Sequence, residues 1–98
     1  MPKSIFQVKK AIEDIMNDVI QQAFSYSINN PQDSNELNEL IKNATKTTEK
    51  LVQRLNKVSE SSDEGLVQVE LDSLAKDLKK KSLIHLSELQ KITQTKKV

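Results

Sequence analysis

Apolar residues return along nearly the whole chain at alternating steps of three and four, and two turn signals cut that rhythm into three runs. A chain patterned this way can bury its apolar side only as helices packed on one another, because a half-buried strand needs alternation at steps of two. The first run is Ile5, Val8, Ile12, Ile15, Val19, Gln22 and Tyr26, a heptad seam with one polar interruption. A second row lies beside it: Met16, Ile20, Ala23 and Phe24. The second run is Leu37, Ile41, Ala44, Thr48, Leu51, Leu55 and Val58, widened by Leu40 and Val52. The third is Val67, Leu71, Leu74, Leu78, Ser82, His85, Leu89 and Ile92, with an extra step of four between Leu78 and Ser82. Strand-like alternation is confined to Val67, Val69 and Leu71, beside Gly65.

The turn signals are Asn29-Asn30-Pro31-Gln32-Asp33-Ser34 and Ser59-Glu60-Ser61-Ser62-Asp63-Glu64-Gly65. Pro31 cannot continue a helix and biases Asn30 away from helical angles. Capping boxes are expected at Ser4 with Gln7, Asp33 with Glu36, and Ser61 with Glu64. These signals predict helices over about 4–28, 34–59 and 62–96. Short turns make neighbours antiparallel. The expected fold is therefore all-α: one domain over 1–98, an up-down-up three-helix bundle with coiled-coil character, able to pair into a larger helical assembly. The threonine-rich stretch Thr45-Lys46-Thr47-Thr48 has poor helix propensity and is expected to open first.

Composition removes most chemistry. The chain has no cysteine, one glycine and one histidine. Disulfides, thiolate metal sites, thiol catalysis and glycine-rich phosphate loops are thereby excluded, and histidine-based triads nearly so. The many serines have no base partner other than His85. Asp14 and Asp18 would need ligands from elsewhere to hold a metal, and Asn43-Ala44-Thr45 matches the glycosylation sequon with Ala44 on the seam. The expectation is a non-enzyme with no cofactor and no metal site. Fifteen basic and fourteen acidic residues leave a net charge of +1, without a basic arm or acidic tail. With neither a secretory signal nor a membrane-length apolar run, the expected location is the cytoplasm.

A protein–protein interaction or structural module that self-associates is the leading expectation, with a second copy or another helical protein as partner. The apolar residues that a simple bundle would leave over are the expected interface: Met16, Ile20, Phe24, Leu83, Ile84 and Ile92. The alternative is a small nucleic-acid-associated or regulatory protein. It would use a basic ribbon of Lys42, Lys46, Lys50, Arg54 and Lys57 on the second helix, although Glu39 and Glu49 lie on the same flank. Centring the turns on residue 31 and between 61 and 62 puts Gln22 level with Ser82 and His85. The three are therefore expected to form a polar layer, with Gln22 bonded to Ser82 or His85. The same register leaves 91–98 as an overhang, with Ile92 covered only by a partner and Lys96, Lys97 and Val98 beyond it.

Overall fold

The computed structural model describes residues 4–94. The chain forms α1 (Ile5–Asn29), a 3-10 turn (Pro31–Asp33), α2 (Ser34–Ser59) and α3 (Glu64–Gln94). Each helix packs against the other two in a three-helix bundle, and the described residues contain no strand. The result is a rod of 54 × 18 × 14 Å.

The helix starts show which local signals operate. Ser4 closes the expected capping box on α1. Its Oγ accepts from the Gln7 N–H at 3.0 Å, and Gln7 Oε1 accepts from the Ser4 N–H at 3.1 Å. α2 grows directly out of the Pro31 turn, and Asp33 makes no capping hydrogen bond through its side chain. α3 begins at Glu64, two residues later than expected. Its cap is Asp63, whose Oδ1 accepts from the Leu66 N–H at 3.2 Å. Ser61 instead accepts from the Asp63 N–H through its Oγ at 3.3 Å. The boxes expected at Asp33 and at Ser61 are therefore not formed.

α2 and α3 bury the seams that their sequences predict. Leu37, Leu40, Ala44, Leu51, Leu55 and Val58 are buried on α2, and Leu71, Leu74, Leu78, Ser82, His85 and Leu89 on α3. α1 does not follow the heptad. Its buried row is Val8, Ile12, Met16, Val19 and Ala23, while Ile15 is 40% exposed and Gln22 is exposed. A straight helix drifts ~20° per heptad against a strict repeat of 3.5. Over three heptads that drift carries Ile15 and Gln22 onto a flank and brings Met16 and Ala23 inward.

The core is in two pieces. The larger cluster includes Val8, Ile12, Met16, Leu51, Leu55, Leu71, Leu74 and Leu78. The smaller one, Ala23, Leu37, Leu40 and Leu89, is flanked by Tyr26, Ile41 and Ile92. Along α3 the polar residues Ser82 and His85 separate them, both buried. Leu51 is 3% exposed inside the larger cluster. Truncation in Leu51→Ala is expected to lower unfolding free energy by about 2–5 kcal/mol through lost burial and the cavity left behind. Denaturant titration with an unchanged midpoint would place Leu51 outside the core.

Candidate functional site

The residues singled out by the sequence sort into three groups: a polar cross-link between helices, a basic flank and a set of exposed apolar side chains.

The cross-link joins α2 to α3 at two heights. His85 is 6% exposed, and its Nε2 lies 3.0 Å from Thr47 Oγ1. Thr47 Oγ1 also lies 3.1 Å from the Asn43 carbonyl one turn back on α2, so its hydroxyl bridges its own helix and the imidazole. Nδ1 is buried without a well-aligned hydrogen bond, and the closest carboxylate oxygen is Glu88 Oε1 at 3.3 Å. Ser82 donates to the Lys79 carbonyl at 2.9 Å. Gln22 takes no part in this layer. Its amide donates to Asp18 on its own helix at 2.9 Å, and it lines an open groove of about 570 Å³ with Tyr26, Leu89, Gln90 and Thr93. The expected bond from Gln22 to Ser82 or His85 is therefore corrected: the partner of His85 is Thr47.

The reason is register. Thr47 meets His85 and Arg54 meets Asp77, so α3 is offset by about two helical turns from a bundle pivoting between 61 and 62. The non-helical residues 60–63 account for the offset, because they carry the chain past the end of α2 before α3 begins and returns. The offset also corrects the expected overhang. Ile92 is half-buried against the smaller cluster, covered by its own chain. Lys96, Lys97 and Val98 lie outside the described residues.

Two helical turns further along α2, Arg54 Nη1 donates to Asp77 Oδ2 at 2.5 Å and Nη2 reaches Ser73 Oγ at 3.4 Å. This removes Arg54 from the basic ribbon. Lys42, Lys46, Lys50 and Lys57 remain exposed, interleaved with the exposed Glu39 and Glu49. The Arg54 hydrogen bond holds the Asp77 carboxyl below its ordinary value. Desolvation acts in the other direction, and the charges of Arg54, Lys80 and Lys81 add to the lowering.

Of the expected interface residues, Phe24, Leu83 and Ile84 stand exposed. Met16 does not: it is fully buried in the larger cluster, and Ile20 packs against that cluster. Both belong to the core because the buried row of α1 follows the true helical period rather than the heptad. The structure adds exposed apolar side chains beyond the expected interface: Phe6, Ile28, Leu66 and Val69. No three His, Asp or Glu side chains gather as metal ligands among the described residues, and none of their helices is long and apolar enough to cross a membrane. Comparison with protein-family models, curated proteins and solved structures finds no match to this chain.

Two measurements check this geometry. A Thr47→Val variant leaves the buried imidazole Nε2 unpaired and is expected to lose about 1–3 kcal/mol of stability. Adding His85→Leu removes the orphaned nitrogen and should restore part of that loss, whereas additive losses would show that the two side chains do not interact. The Asp77 carboxyl, followed by NMR, should titrate below the ~3.9 of an ordinary aspartate, and Arg54→Met should move it up toward that value. A lowered carboxyl binds fewer protons in the folded state. Its contribution is therefore present above the unfolded value and is lost as pH falls through the lowered one. An unchanged Asp77 titration in Arg54→Met would break the assigned pair.

Proposed function

We propose that this chain is a non-enzymatic helical module whose role is to associate with copies of itself. One observation carries the reading: the exposed large apolar side chains are distributed unevenly. Among the described residues they stand on α1 (Phe6, Ile15, Phe24, Ile28) and α3 (Leu66, Val69, Leu83, Ile84), and none stands on α2. The outward side of α2 carries lysines and glutamates instead. A rod that keeps one helix polar and leaves apolar residues on the other two has a solvated back and a contact front. Supporting this, the single histidine serves as a structural cross-link to Thr47, so no serine has a free base beside it.

The nucleic-acid alternative draws less support. Arg54 is held by Asp77, and the remaining lysines of α2 alternate with Glu39 and Glu49. Such a face has little net positive field to offer a phosphate backbone.

Sedimentation velocity at micromolar concentration tests the reading. A dimer or larger species is expected. A single species at the 11.1 kDa of one chain would overturn it.

A further inference from the structure

Beyond its buried row, α3 carries a second pattern. Asp77, Lys80, Ile84, Glu88 and Lys91 follow one another at steps of three, four, four and three. At about 100° per residue they fall within an arc of about 80°, centred about a third of a turn from the row that Leu71, Leu74, Leu78 and Leu89 bury. Ile84 is 45% exposed and its neighbour Leu83 58%. With Lys80, Ser87, Glu88 and Lys91 they line a shallow surface groove of about 400 Å³. Ile84 sits at the middle of this stripe, with Leu83 on its flank and charges above and below it.

Those charges are arranged as an inverted repeat about Ile84. Lys80 lies four residues before it and Glu88 four after; Asp77 lies seven before and Lys91 seven after. At each distance the two signs are opposite. A second α3 laid antiparallel across a two-fold axis at Ile84 would bring Lys80 against the partner's Glu88 and Glu88 against the partner's Lys80. Lys91 would come beside the partner's Asp77, whose carboxylate is already paired with Arg54 of its own chain. A parallel arrangement would place each charge against its own kind. Isologous contacts require this self-complementarity. The exposed apolar residues of α1 lack it: Phe24 and Ile28 are surrounded by Gln21, Ser25 and Ser27. From Leu74 to Gln94 the two helices would overlap over about 30 Å.

We propose that two copies of this chain dimerise through α3, antiparallel, with the two-fold axis at Ile84 and reciprocal Lys80–Glu88 pairs on either side. The proposal rests on the self-association reading and specifies its surface. Ile84 and Leu83 lose water at the axis, and the ion pairs set the direction and exclude the parallel register.

The test uses two separately purified full-length variants, Lys80→Glu and Glu88→Lys, in sedimentation equilibrium. Each alone sets like charges against each other at two places and should dimerise about tenfold more weakly than the unmodified chain. An equimolar mixture restores two opposite-charge pairs and should recover the unmodified affinity as a heterodimer. Recovery also shows that both variants are folded. If the unmodified chain dimerises and the variants do so equally well, or if the mixture gains nothing, the α3 seam is overturned while self-association stands. If the unmodified chain is monomeric, both fall. A second readout uses the absence of cysteine. Ile84→Cys places two thiols at the axis and should give a disulfide-linked dimer on mild oxidation, whereas Phe24→Cys should remain monomeric under reducing-agent-free gel analysis. Cross-linking at Phe24 and not at Ile84 would overturn the axis.

Discussion

The register of α3 against α2 governs the rest of this molecule. It is held by Thr47–His85 and by Arg54–Asp77, two polar contacts at different heights on the same helix pair. Sliding α3 by one turn would break both and would leave a buried imidazole without its partner, a loss that apolar packing alone does not impose. Leucine seams are tolerant of slippage, because one leucine replaces another after a turn. A buried polar pair is not, and this is the attested use of polar positions in helical cores. The register in turn puts Ile92 over the smaller cluster and turns Ile84 outward.

The interior polar layer is compatible with a folded rod because most of its groups are satisfied locally. In α2 the hydroxyls of Thr45, Thr47 and Thr48 donate to the carbonyls of Ile41, Asn43 and Ala44, one turn back. The helix runs unbroken through this stretch of poor propensity, with its hydroxyls satisfied within the helix itself. Ser82 does the same on α3 with the Lys79 carbonyl. His85 is the exception, because an imidazole cannot reach its own backbone in this way and must find a partner on another helix. Thr47 is available as that partner because its hydroxyl, 3.1 Å from the Asn43 carbonyl on its own helix, also lies 3.0 Å from the imidazole Nε2 on α3.

Much of this was legible in the sequence, and the failures have physical causes. The seams of α2 and α3 were readable because Leu51, Leu55, Leu71, Leu74 and Leu78 are strong apolar signals with polar neighbours on every other side. α1 was harder, because Ile15 and Met16 are both apolar and adjacent, and only the drift of a straight helix against the heptad decides between them. The presence of a polar layer at Ser82 and His85 was readable as well. Its partner was not, because residue counting assumes that a turn reverses the chain at its centre. The capping preference of Asp63 over Ser61 delayed α3, and the non-helical residues 60–63 shifted everything that follows. Thr47 carried a usable signal: it is a polar residue adjacent to the seam position Thr48, on the flank of α2 that also bears Arg54.

Glu88 stands where the interior and the surface of α3 meet. Its carboxylate lies 3.3 Å from the buried Nδ1 of His85, yet nearly half of its side chain faces water on the outward stripe with Ile84 and Lys91. An aspartate would be a carbon too short to do both, and a residue one position away would point a third of a turn aside. The same helix thus presents two seams: one turned inward, closed by Thr47, and one turned outward, bounded by Lys80 and Glu88. A lysine brought to Glu88 from outside would place a positive charge beside a carboxylate that already faces the imidazole, so the outer face and the inner layer share one side chain.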